Sequence, residues 1–531
     1  MLQTSGKPGP HHASYYLEMT PTGKIQIANR IHMYHDAPQS DSDVQLVMRL
    51  LLLLLCVFLY LVGVIQAAPG TITNTTGNAI TSDSFKAPSF TTRTIWSIVS
   101  SSVLTLFACI YSAIHPNIPS PQDSPNDILL RRLGMMIMAL IAPELIVTWA
   151  MRQWFSARLV TREFKESGYP KVRPDWKPEE NEFAPENDFL RFLAVLVKGT
   201  LSVLVFPWRF PGVLVRLVKR SVKAYFSKKS EVYTWTQTHS FFVLMGGFML
   251  YLDGEPYLTL RPHDILILMR ERCIDLPILT ASQIYDKSKG NAISKGLVML
   301  QVAWFIMQLI TRAIYRLETT QLEVGTLAFA VLNFLTYAVW WDKPLNVECP
   351  HPVYLKSTKS IPKDISDLHD RDGPAPMVIF SALGPFKELM GDSGIPTSRK
   401  LRVPTFDGSI KLKPLDTMVI QLAALSMATV FGGIHCLAWF FTFVTHQEQL
   451  LWRICALAIT GTPWLLFFAI FTFDSAHKMV LTFITFPILL VSIPLYIVAR
   501  AIILVLMFTT LRHLPADAYQ AVSWISLVPH L

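Results

Sequence analysis

Charged side chains are scarce in this 531-residue chain: Asp, Glu, Lys and Arg make up 16% of it, where a soluble globular protein carries about a quarter. Apolar residues fill the difference at 51%, and the mean hydropathy is +0.37. This balance sets aside an ordinary soluble enzyme and points to repeated membrane crossings. Cysteine is also sparse, six in all, with no Cys-x-x-Cys pair or Cys/His cluster of zinc spacing. Cys56, Cys109, Cys436 and Cys455 lie in apolar runs and read as small core residues. Cys273 and Cys349 lie in polar connections and read as unpaired thiols, a disulfide between them being the alternative. No phosphate-binding glycine loop, dinucleotide fingerprint or nucleophile elbow is present. Nor is there an Asp-Asp-x-x-Asp, Asp-x-Asp-Asp or Asn-Asp-x-x-Asp run, which sets aside the familiar diphosphate-binding terpene synthases and prenyltransferases. No cofactor and no metal is therefore expected. The net charge of +9 comes from Lys and Arg scattered along loops and helix ends. That pattern suits lipid headgroups and topology, so the bilayer is the expected partner and nucleic acid is not.

From Met48 the chain has a short basic start, a Leu-rich run and small residues at Ala67-Ala68, so residues 48–68 read as a signal peptide or signal anchor. Residues 1–47 are polar and irregular, and read as disordered or as an extension upstream of the true start. Residues 69–93 are then a lumenal segment, in which Asn74-Thr75-Thr76 forms an N-glycosylation sequon at Asn74. The expected location is the endoplasmic reticulum or another endomembrane.

Eight stretches approach the roughly 20 apolar residues that a bilayer requires. They are 94–114, 133–154, 234–252, 293–314, 324–341, 418–443, 450–471 and 479–508. The second carries Pro143-Glu144 at its middle and the third is short, with His239 and Gly246-Gly247. The predicted fold is all-α: a polytopic transmembrane helical bundle of seven or eight spans with interfacial amphipathic helices. Its parts are first membrane helices at 94–154, a basic loop at 155–233 whose 189–230 stretch is amphipathic, and central membrane helices at 234–341. A polar loop region at 342–417, C-terminal membrane helices at 418–508 and a tail at 509–531 complete it. Positive-inside counting groups Arg312, Arg316, Arg453, Arg500 and Arg512 on one, cytosolic, face, with connections 253–292 and 342–417 opposite. The placement of 155–233 conflicts between the two ends of the count, and a 133–154 stretch that does not fully cross removes the conflict. No internal repeat is visible, so the paired halves of many transporters are absent.

Ionisable residues inside apolar spans are costly and mark functional candidates. Glu144 stands foremost, in Leu140-Ile141-Ala142-Pro143-Glu144-Leu145, where proline frees a backbone carbonyl and a polar pocket can form. A carboxyl sealed from water there suits a general acid, while a plain helix-breaking pair at a re-entrant turn is the other reading. His239 and His435 are further candidates, each set against the more ordinary role of a hydrogen-bonded structural histidine. Asp253, Glu255 and Asp342 sit at span ends beside aromatics, whose faces can anchor at the interface or steady a carbocation. The run Asp286-Lys287-Ser288-Lys289-Gly290 abuts the span at 293–314. It reads as a cap in which Ser288 or Asn291 holds the helix start and the lysines reach lipid phosphates, with Asp286 as a reserve acid.

Several runs occur together: Ala139 to Glu144 with Arg152-Gln153-Trp154, Trp235 to Phe248, and Asp286 to Gly290 with Ser294-Lys295. Gln301 with Trp304-Phe305, Leu322-Glu323, Trp340-Trp341 with Lys343-Pro344-Leu345, and a terminal Pro529-His530 follow. Jointly they resemble a large family of fungal multi-pass membrane proteins. Some members resemble the membrane-bound terpene cyclase of ascofuranone-type meroterpenoid biosynthesis, which closes an epoxidised prenyl chain. The resemblance implies acid-initiated epoxide opening on a hydrophobic small-molecule substrate in secondary metabolism, and assigns no catalytic residue. From the residues, the candidate catalytic set is Glu144, Asp286, Asp253 and His239. A transporter or channel-like protein for a hydrophobic metabolite, or a receptor or scaffold without chemistry, are the alternatives.

Overall fold

The computed structural model describes residues 14–19, 25–30, 90–168, 235–275, 279–289, 292–356, 401–475 and 478–522. The predicted signal segment, the Asn74 sequon, the amphipathic 189–230 stretch and Pro529-His530 lie outside the described residues. Within residues 1–54, β1 (Ser14–Met19) and β2 (Ile25–Arg30) pair antiparallel, with Ser14 opposite Arg30. From residue 55 the chain forms a second unit, mainly helical. Its order is β3 (Phe90–Thr92), α1 (Ile95–Ala113), α2 (Pro125–Ile141), α3 (Pro143–Glu166), α4 (Gln237–Leu244), β4 (Phe248–Leu252), β5 (Glu255–Thr259), α5 (Pro262–Arg270), α6 (Ala281–Lys287), α7 (Ala292–Ile314), α8 (Gln321–Val339), β6 (His351–Tyr354), α9 (Pro414–Cys436), α10 (His446–Ser475), α11 (Lys478–Thr509) and β7 (Gln520–Val522).

Among the described residues six helices, α1 and α7 to α11, are long and apolar enough to cross a bilayer, or seven spans if the bent pair α2–α3 counts as one. Large apolar side chains such as Trp96, Phe107, Leu465 and Val505 stay exposed on them, as expected where lipid rather than water is the solvent. α8 is the most buried span and packs against α1, α3, α9 and α11. Its small residues Gly325, Thr326, Ala328 and Ala330 let neighbouring helices approach closely. Thr320 and Glu323 cap its start reciprocally, and Arg93 forks onto the Glu323 carboxylate at 2.6 and 3.2 Å. Beside them Arg312 donates to Gln520 O at 2.6 Å, and β3 pairs antiparallel with β7, Thr92 opposite Gln520.

The expected span at 234–252 is not one. Its helical part is the eight residues of α4, after which Gly246 takes φ +92° and the chain enters β4. β4 and β5 form a hairpin about Asp253 (φ +50°) and Gly254 (φ +88°), the left-handed pair that a tight primed turn needs. β4 also pairs in parallel with β6, giving the order β5-β4-β6, so the bundle carries a small mixed sheet that an all-α reading omits. The 133–154 stretch is split into α2 and α3, and the chain bends by 113° between them about Ala142. Asn117, ahead of α2, and Gln153, on α3, both donate to Asp407 O, so the two arms of this V open at the same end.

Helix contacts in the bundle depend on small residues facing backbone. A Cβ placed on Gly432 of α9 would lie 2.8 Å from Thr460 Cα on α10, while one on Gly461 would meet nothing within 4 Å. Gly432→Leu should therefore sharply reduce the monodisperse protein recovered in detergent size-exclusion chromatography, and Gly461→Leu should leave it near wild type.

Candidate functional site

The apex of the V is where the apolar interior is interrupted. Pro143 has no N–H for the ladder and Ala142 is non-helical (φ −141°, ψ 71°), so the last carbonyls of α2 lose their intrahelical donors. Arg500 of α11 replaces them: Nε donates to Ile141 O and Nη2 to Leu140 O, both at 2.8 Å. A cation thus sits at the negative end of α2, and Glu144 sits in the first turn of α3, where negative charge is favoured. The guanidinium also lies over the rings of Phe431 at 4.2 Å and Phe329 at 5.1 Å. Glu144 is buried; Tyr496 donates its hydroxyl to Oε1 at 2.5 Å, and Oε2 has no partner among the described residues. His435, on the last turn of α9, packs its ring on Phe431 at 4.8 Å. A small cavity beside the apex, about 20 Å³ and lined by Pro143, Ile146, Phe329, Asn333 and Thr336, has room for one water molecule.

Glu144 is therefore where the sequence placed it, but its surroundings were not foreseen. Arg152, two turns on, does not face it: its guanidinium donates to Phe406 O at 3.1 Å and lies 3.9 Å from Asp407 Oδ1. Tyr496 and Arg500 were missed as site members. The available signal was Arg500 itself, which stands inside the apolar window 490–512 rather than near its end.

The other sequence candidates lie elsewhere and are not brought together with Glu144. His239 is buried, but Thr236 N–H donates to Nδ1 at 3.1 Å, so the ring proton is on Nε2, which bonds Leu279 O at 2.7 Å. Burial pushes its pKa down, and with both nitrogens occupied it acts as a joint between α4 and the segment before α6. Asp253 is exposed in the β4–β5 turn, and Asp286 is exposed at the end of α6. Ser288 does not cap α7, and Asn291, the other cap candidate, lies outside the described residues. Ser288 ends α6, its hydroxyl donates to Leu345 O at 3.1 Å and accepts from Leu345 N at 2.9 Å, and Lys289 pairs with Glu348 rather than standing free for lipid. Cys273 and Cys349 are free thiols.

A second polar cluster lies at the open end of the V. Lys343, just past α8, is fully buried, donates to His115 O at 2.6 Å and Gln153 Oε1 at 2.8 Å, and faces the rings of Trp340 and Trp149. Trp340 Nε1 shares Gln153 Oε1 at 3.0 Å, and Trp149 Nε1 donates to Asp407 O at 3.1 Å. Gly408, at φ +96°, lets the 404–409 segment close on Gln153 without a side chain in the way. The runs Arg152-Gln153 and Trp340 to Leu345 thus meet in space, as a latch that holds this segment on α3.

Burial lowers the Lys343 amine well below its ordinary value near 10.4. Between that lowered value and about 10.4 the folded state binds fewer protons than the unfolded one, so stability from this group rises with pH through that window and is lost as pH falls. Wild type in detergent should gain apparent Tm as pH is raised toward about 10, measured by differential scanning fluorimetry, and Lys343→Met should flatten that rise.

A family model described as a family of unknown function, DUF8562, matches residues 60–186 and 213–362, more than half of the chain. No curated protein and no solved structure matches it.

Proposed function

We propose that this chain, which belongs to the DUF8562 family of unknown function, is a membrane-bound terpene cyclase acting on an epoxidised prenyl chain of a meroterpenoid in fungal secondary metabolism. The observation that carries the reading is the state of Glu144. Tyr496 fixes one carboxyl oxygen, the other is buried without a partner, and the guanidinium of Arg500 is engaged by carbonyls and ring faces instead of by the carboxyl. A carboxyl not consumed in an ion pair can hold a proton and deliver it from Oε2 to an epoxide oxygen. Aromatic faces steady cations in this interior, as Phe329 and Phe431 do for the Arg500 guanidinium. Epoxide opening followed by ring closure is an isomerisation and requires no cofactor. A prenyl-aryl substrate does not fit the present cavity, so it would enter from the bilayer by parting the V from α11, with the break about Ala142 as the flexible point.

A second reading rests on the same break. Discontinuous helices whose ends meet polar residues inside the membrane are how many carriers build substrate sites, so a transporter of a hydrophobic metabolite is the alternative.

The two part in one assay, with membranes from a heterologous host incubated with epoxidised prenyl-phenols. Cyclisation predicts a new isomer of the substrate and a fall of about 10²–10⁴-fold in Glu144→Gln at normal expression, with partial activity in Glu144→Asp. Unchanged turnover by well-expressed Glu144→Gln removes Glu144 from the mechanism. Absence of any isomer with wild-type membranes removes the cyclase reading and leaves transport.

A further inference from the structure

Three buried polar atoms gathered about Arg500 have no partner among the described residues: Glu144 Oε2, Arg500 Nη1 and His435 Nε2. Native structures leave few buried polar atoms unpaired, so each calls for an explanation. His435 is wholly buried and its ring is firmly held. Its Nδ1 lies 2.8 Å from Phe431 O, an atom that only accepts, so in the neutral ring Nδ1 carries the proton and Nε2 presents a bare lone pair. Trp452 donates Nε1 to the His435 carbonyl at 3.0 Å and packs its ring 6.2 Å from the imidazole. His239 offers the contrast: also buried, it has both nitrogens bonded. Phe431 joins the two sides: its ring lies 4.2 Å from the Arg500 guanidinium and 4.8 Å from the His435 ring, while Tyr496, one turn before Arg500, holds Glu144.

We propose that His435 Nε2 is the base that ends the reaction Glu144 begins, an inference that rests on the cyclisation reading above. Glu144 gives its proton to the epoxide oxygen, the C–O bond breaks toward oxygen, and a hydroxyl and a carbocation result. An alkene of the same chain supplies the electron pair for the new C–C bond and moves the cation along the chain. The Nε2 lone pair then takes a proton from the carbon beside the cationic centre, and the C–H bonding pair becomes the second bond of an alkene. Substrate and product are isomers and nothing is oxidised or reduced. The carboxyl is left as carboxylate and the imidazole as imidazolium; passing one proton from ring to carboxylate restores both. The like charge of Arg500 favours that return.

Two measurements test the assignment. In wild-type protein in nanodiscs at pH 7, ¹⁵N-histidine NMR should show His435 neutral with its proton on Nδ1, identified by proximity to a ¹³C-labelled Phe431 carbonyl. A proton on Nε2, or on both nitrogens, overturns the proposal and requires no variant to fold. His435→Asn keeps an N–H near the place of Nδ1 and removes Nε2. With the epoxidised prenyl-phenol, its formation of the proton-loss alkene should fall about 10²-fold or more, and the epoxide it still opens should leave as the cyclised alcohol formed by water addition. The wild-type alkene at the wild-type rate from His435→Asn overturns the role of His435 while leaving the cyclase reading intact. A wild-type protein inert toward the epoxide overturns that reading and this inference with it.

Discussion

A guanidinium bonded to two backbone carbonyls in the middle of a bundle is the contact on which the interior depends. A charged side chain at the bilayer centre costs roughly 2.5–3.5 kcal/mol on insertion scales and more in isolation. Hydrogen bonds to a charged group return about 1.5–3 kcal/mol each. Arg500 makes two of them and rests on two ring faces, worth about 2 kcal/mol or more where water is excluded. The sum is large enough to hold the cation without a carboxylate at contact distance. Conversely, the carbonyls of Leu140 and Ile141 would be orphaned in an apolar interior without it, so the break and the arginine each make the other tolerable.

The two polar clusters of the protein differ in one respect that separates support from chemistry. At Lys343 the amine reaches three acceptors, both ends of the Gln153 amide are engaged and both indole N–H groups donate, so this cluster acts as a latch. About Arg500 three atoms are left without partners in a space equally dry. The hydrogen bonds of the latch specify shape, whereas the unpaired atoms about Arg500 keep a cost in place that folding alone does not explain. The latch fixes the open end of the V, and the V carries Glu144 to its apex.

Much of the bundle was legible because long apolar runs have a single physical outcome in a chain with so little charge; six of the eight stretches read from the sequence are helices of crossing length. The 234–252 stretch misled because its apolar residues continue through Gly246-Gly247, and hydropathy does not register that a left-handed glycine turns helix into strand. Glu144 was legible as an ionisable group next to a proline within an apolar run. Its partners were not, since Tyr496 and Arg500 lie more than 350 residues away and only packing brings them in. His239 and His435 look alike in sequence, each a lone histidine among apolar residues. What each nitrogen meets distinguishes them, and that is a property of the fold.

The short ladder between β3 and β7 has a counting consequence. Strands that share hydrogen bonds stand on one side of a bilayer, so the chain between Thr92 and Gln520 crosses it an even number of times. α1 and α7 to α11 already make six. The contacts between their ends agree: His115 after α1 meets Lys343 after α8, and Arg312 ending α7 meets Gln520. A further crossing by α2 and α3 would make the count among the described residues odd, which a pair bent by 113° avoids if it enters and returns on one side. Phe164 and Trp235 stack at 3.8 Å, so the end of α3 and the start of α4 stand on one side too. Among the described residues, the end of α3 therefore shares its face with 253–275, 279–289 and 342–356, opposite Arg312 and Arg512. The same ladder sets β3, within the 69–93 segment read as lumenal, on the face of Arg312 that positive-inside counting makes cytosolic, so the signal and charge readings of orientation disagree.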